Sequence, residues 1–91
     1  LGTDPREQYR EFGIALLAAG HAAEAEVWYR EGGKQFPTWP HAHANLAVAL
    51  ASQGKYEEAE AAVLKALRLD PSMPDAKRNL ELIRQALKKP Q

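Results

Sequence analysis

The sequence predicts an all-α fold, a short α-solenoid of antiparallel helix pairs with about five helices. Three observations predict it. The chain repeats itself at an offset of 34 residues, which pairs Gly20 with Gly54, Ala25 with Ala59 and Pro37 with Pro71; self-similarity at such a period marks stacked supersecondary units. The stretches between these glycines and prolines are rich in alanine, leucine and glutamate, all strong helix formers. The 91 residues hold no cysteine, so no disulfide framework or thiolate metal site organises the chain instead.

Each element follows from local signals. The first helix is expected over residues 5–19. Asp4 is its N-cap and Pro5 sits in the first turn, where a missing N–H costs nothing. Gly20 ends it in the left-handed conformation that a C-cap requires. The second helix runs over 22–35 and stops before Pro37. Its Gly32-Gly33 pair costs roughly 1 kcal/mol per glycine relative to alanine, unless a neighbouring helix comes too close for a Cβ. The third helix, 39–53, repeats the first, with Thr38 as cap and Gly54 as stop. The fourth, 56–69, carries Ala59, Val63, Ala66 and Leu67 as an apolar stripe and ends at Asp70-Pro71. The fifth, 73–88, opens a third unit behind Ser72, and Lys88-Lys89 complement its C-terminal dipole. Glu7 and Asp75, three residues after Asp4 and Ser72, predict capping boxes.

The organisation read from these signals is a tail at 1–3, a first unit at 4–37, a second at 38–71, a capping helix at 72–89 and a tail at 90–91. Gly13, Ala25, Ala47, Ala59 and Ala66 are expected where helices approach closely. Tyr9, Phe12, Leu16, Tyr29, Leu46, Leu50, Val63 and Leu67 are expected to fill the space between them. The fifth helix turns Lys77, Glu81 and Arg84 toward the side where a further unit would stack, so the array is expected to finish there. Two units and a cap fall below the usual minimum of about three repeats. Either more repeats precede Leu1 or the domain associates with itself.

These residues resemble the tetratricopeptide repeat. The second unit carries the resemblance best, in Asn45-Leu46-Ala47, Leu50, Gly54, Tyr56, Glu58-Ala59, Lys65-Ala66-Leu67 and Leu69-Asp70-Pro71. The first matches more loosely through Tyr9, Phe12-Gly13, Leu16, Gly20, Ala25, Tyr29, Gly32 and Pro37. The resemblance implies a solenoid whose first helices line a concave groove holding a peptide or a segment of another protein. Some members of the family clamp the C-terminal aspartate of chaperones. At the matching places this chain has Arg10, Ile14, Asn45, Asp75 and Asn79, with Ile14 in place of an asparagine, Asp75 of a lysine and Asn79 of an arginine. Asp75 would repel a ligand carboxylate, so that specialisation is not expected.

Composition narrows the function. Twelve basic residues balance twelve acidic ones, which argues against nucleic acid and anionic membrane as partners. The longest apolar runs, residues 14–19 among them, are far too short to span a bilayer. No secretory leader is visible, leaving the cytoplasm as the default compartment, and the chain opens on Leu1, as a fragment or processed piece would. Catalysis has little material. His41 and His43 lie two apart, which on a helix points them in different directions, and His43 falls at a core-facing position as a packed, hydrogen-bonded imidazole. His21 sits in a turn. No metal, cofactor or catalytic residue is expected, and the chain is not expected to be an enzyme.

The groove is the sharper expectation. Its apolar stripe is Ile14, Leu17, Val48 and Leu82, flanked by Arg10, Asn45, Arg78 and Asn79. Asparagine amides both donate and accept toward a peptide backbone, and arginine grips carboxylates, so the surface suits a segment with apolar and acidic groups. The expected function is a non-catalytic protein–protein interaction module that takes an extended peptide or partner segment in this groove. The alternatives are a homo-oligomeric scaffold, with Trp28 or Trp39 as anchors, and a regulatory domain attached to an enzyme outside these residues.

Overall fold

The computed structural model describes residues 4–89; both predicted tails lie outside them. Five helices follow in order among the described residues: α1 (Pro5–Ala18), α2 (Ala22–Gln35), α3 (Pro40–Ser52), α4 (Tyr56–Leu69) and α5 (Pro74–Lys88). The glycine stops act as expected. Gly20 and Gly54 have φ of 83° and 78°. Just past each, the N–H of His21 donates to the Leu16 carbonyl at 2.8 Å and that of Lys55 to Leu50 at 2.9 Å, closing the helix ends by the pattern that a left-handed glycine permits.

The helix starts depart from expectation in two of three places. Asp4 caps α1, its carboxylate accepting from the Arg6 amide at 3.0 Å. Thr38 and Ser72 do not cap; Trp39 and Met73 hold the N-cap positions, without side-chain bonds. The reason lies in the prolines. A residue before proline is pushed to extended backbone, and the helix then begins at the proline itself. Asp4 directly precedes Pro5, whereas Trp39 and Met73 intervene before Pro40 and Pro74. Ser72 instead donates its hydroxyl to Asp70 at 2.7 Å in the turn. No capping box forms at Asp75, and at α1 the Asp4 carboxylate takes the Arg6 amide rather than that of Glu7.

Each helix packs on its neighbours in sequence, and the first helices of successive pairs also touch, α1 on α3 and α3 on α5. The second helices, α2 and α4, do not pack on one another. The result is an elongated body of 50 × 29 × 19 Å with α3 at its centre. Ala25, Tyr29, Ala47, Leu50, Ala59, Val63 and Ala66 form the core, joined by Met73, Ala76 and Ile83 from the last connection and α5. Fully burying a side chain such as Tyr29, Leu50 or Val63 stabilises the fold by roughly 1.5–3 kcal/mol each.

Small residues set the approach distances. A Cβ on Gly13 would run into the ring of Tyr29, whose hydroxyl donates to the Arg10 carbonyl at 3.2 Å. Gly32 and Gly33 answer the question their pairing raised. A Cβ would lie 3.2 Å from the Tyr9 ring at Gly32 and 3.3 Å from His43 at Gly33, so a side chain at either would make the facing ring give by a few tenths of an ångström. Phe12 departs from expectation. It is 62% exposed and lies on Trp28, their ring centroids 5.3 Å apart, because no described helix covers that side of α1. Trp28 itself is half-buried, its indole N–H donating to the Tyr9 carbonyl at 2.8 Å.

Candidate groove between the first helices

Two features of α3 and α5 create a groove. Asn45, Val48 and Ser52 stand three and four residues apart and so share one face of α3. Arg78, Asn79 and Leu82 share one face of α5 in the same way. Where these faces meet, a cavity of about 440 Å³ is lined by His41, Ala44, Asn45 and Val48 on one wall and Asp75, Arg78 and Asn79 on the other. The connection from Asp70 through Ser72, Met73 and Pro74 closes its end. A second cavity of about 250 Å³ continues it between Val48, Ala51 and Ser52 on α3 and Asn79, Leu82 and Ile83 on α5. Val48 and Asn79 line both, so the two form one continuous groove.

Five of the eight residues expected from the sequence therefore come together: Asn45, Val48, Arg78, Asn79 and Leu82. The three on α1 line neither cavity. Arg10 is exposed, Ile14 is 51% exposed, and Leu17 packs against the core rather than standing free in the stripe. The Asp70–Pro74 connection was the part that helix periodicity missed. Its prolines announced a turn, and only the packed structure folds that turn toward α3.

Charge in the groove is mixed. The Arg78 guanidinium lies 3.6 Å from the Asp75 carboxylate, both well exposed. The hydroxyl and backbone N–H of Ser72 donate to the Asp70 carboxylate and hold its pKa below the usual carboxylate value. With Asp70 and Asp75 both on the lining, the groove is less suited to an acidic segment than the side-chain inventory implied. His43 lies outside the groove, buried as expected, with Nε2 donating to the Pro37 carbonyl at 3.2 Å; burial pushes its pKa below the ordinary imidazole value. No group of three or more metal-binding side chains occurs among the described residues, and no described helix is long and apolar enough to cross a membrane.

Comparison with known proteins places this geometry. Two family models described as tetratricopeptide repeat match residues 40–73 and 13–31. The chain is 35% identical over 74 residues to the TPR repeat-containing thioredoxin TTL4 of Arabidopsis thaliana, covering 81% of this chain and 11% of that protein. It is 35% identical over 68 residues to the protein O-mannosyl-transferase TMTC2 of Homo sapiens, covering 75% of this chain and 8% of that protein. The chain thus spans about a tenth of the length of these curated relatives. Among solved structures, the Sgt2 TPR domain of Aspergillus fumigatus superposes with a TM-score of 0.87 at 25% identity, covering 93% of this chain and 56% of that one. Helix pairs at a 34-residue period, glycines at positive φ between paired helices and both family matches lead to one conclusion: the chain belongs to the tetratricopeptide-repeat family.

Proposed function

We propose that this domain binds an extended segment of another protein in the groove between α3 and α5. Domains of this family are in general non-catalytic modules that bind proteins or peptides, and the repeat sequence and fold support that general role here. One observation carries the finer reading. The groove is built from residues related by the repeat itself: Asn45 and Asn79, and Val48 and Leu82, each stand 34 apart. This arrangement offers an amide and an apolar contact from each wall. An extended chain laid between them finds two side chains that both donate and accept toward its backbone, with an apolar patch alongside. Leu82 is 56% exposed, an apolar surface rimmed by polar groups of the kind that marks interaction sites.

The test is selection from a displayed peptide library, followed by affinity measurement on variants. Val48→Glu or Leu82→Glu is expected to abolish capture while the helical circular dichroism is kept. Asn45→Ala and Asn79→Ala are expected to weaken it by roughly 5- to 30-fold each, the range for losing hydrogen bonds to a backbone. Capture that survives both glutamate changes would overturn the groove reading.

A second reading is favoured by the opposite edge. Phe12 is 62% exposed and Val27 69%, whereas Leu46, one repeat after Phe12, is 8% exposed beneath the preceding pair. A second copy seated on this edge would give Phe12 the cover that Leu46 has. Light scattering across a range of concentrations is then expected to show a dimer that Phe12→Glu converts to monomer. A monomer at every concentration sinks this reading.

A further inference from the structure

Because α2 and α4 do not pack on one another, a slot of about 470 Å³ opens between them on the other side of α3 from the groove. Its lining is apolar: Leu46 and Leu50 of α3 and the ring of Tyr29 lie buried at its base, and Gly33 and Ala61 stand open above them. Small residues keep it open: Gly33 on one wall, Ala61 and Ala62 on the other. Its rim carries three cations, Arg30, Lys34 and Lys65, against a single lining carboxylate, Glu58. That carboxylate is already engaged by Arg30 at 3.2 Å. Neither Lys34 nor Lys65 has an ion-pair partner among the described residues. The His43 ring stands on the wall; its Nε2 bonds a carbonyl, which only accepts, so Nε2 carries the proton and Nδ1 is left as an acceptor.

We propose that this slot is a second binding site, for a segment of a partner protein that carries an aliphatic or aromatic side chain flanked by carboxylates. The apolar side chain packs on Gly33, Ala61 and the aliphatic stems of Lys34 and Lys65, above the buried Leu46 and Leu50, and the flanking carboxylates pair with the two lysine ammonium groups. Charge complementarity selects this occupant. The chain as a whole is neutral, yet the slot's rim holds two cations without partners over an apolar lining. The proposal does not depend on the groove reading, since the slot shares none of the groove's lining residues.

The test is amide chemical-shift titration of the isotope-labelled chain with a blocked pentapeptide, one leucine flanked on each side by two glutamates. A matched peptide with lysine at each glutamate position serves as control. Saturable shifts are expected at Gly33, His43 and Lys65, with the basic peptide at least about tenfold weaker. Lys34→Glu combined with Lys65→Glu is expected to weaken the acidic peptide by about tenfold or more, and Ala61→Phe, at an exposed position, to block the slot sterically. The dispersion of the same spectra reports the fold of each variant, and Lys34→Gln with Lys65→Gln replaces the charge reversal should that pair unfold. Absence of saturable shifts at millimolar peptide, shifts centred on Asn45 and Asn79, or equal affinity for the basic peptide would each overturn the proposal.

Discussion

At Gly13 a single missing side chain sets the spacing of the first helix pair. The Tyr29 ring occupies the place of the absent Cβ, and its hydroxyl bonds the Arg10 carbonyl across the same contact. Tyr29 is fully buried, and burial pushes its phenol pKa up to about 12, so it remains a neutral donor throughout the working range. Gly13→Ala therefore forces either the ring or α1 to move. It is expected to destabilise the fold by about 2 kcal/mol, at the middle of the range for overpacked sites, as a lowered midpoint in urea unfolding; an unchanged midpoint would mean that the contact relaxes freely. Both partners were legible in the sequence, Gly13 as a site of close approach and Tyr29 as a space-filler. The exposure of Phe12 was not. The repeat pattern makes it equivalent to Leu46, and a pattern carries no information about whether a neighbour is present to cover the position.

Helix identity was largely legible, since proline and glycine punctuate the chain at every turn. The bounds of α2 and α4 coincide with those expected; α1 and α5 differ by one residue at one end, and α3 by one residue at each end. Capping was read less well because two start signals compete one residue apart. Thr38 and Ser72 are good capping residues by type, but Pro40 and Pro74 fix where the helix begins and leave them outside it. The candidate groove shows the same division. Positions on α3 and α5 followed from helical periodicity and the 34-residue step, which carry Asn45 and Val48 onto Asn79 and Leu82. The α1 positions satisfied the same arithmetic, yet Leu17 packs into the core and Ile14 lines neither groove cavity. Periodicity gives the face of a helix; the angle between neighbouring helices decides whether two faces enclose a space.

Across the whole molecule, the two helix pairs are joined by a clasp around Glu26 of α2. Its carboxylate accepts from Gln53 Nε2 at 2.9 Å, from Arg30 Nε at 2.9 Å and from Lys55 Nζ at 3.1 Å, gathering the turn between α3 and α4 onto α2. These donors, Gln53 foremost, lower the pKa of Glu26 from an ordinary 4.5 to about 2. A carboxylate with a depressed folded-state pKa contributes stability that is complete above about pH 4.5 and is lost as pH falls toward about 2. His43 acts in the same direction at milder acidity. Folding favours its neutral form, so stability is complete above its ordinary 6.5 and declines below it. Glu26→Gln is expected to cost about 1–2 kcal/mol at pH 7, and the gap from the parent chain to close as the pH is lowered to 2, measured by urea unfolding at both values. A gap that stays constant with pH would show that the clasp acts through shape and not through charge. Helix α3 has one further consequence. It serves as a wall to both cavities, presenting Asn45 and Val48 to one and Leu46 and Leu50 to the other. Any coupling that α3 carries between ligands at the two cavities is symmetric: whatever factor the first imposes on the affinity of the second, the second returns to the first.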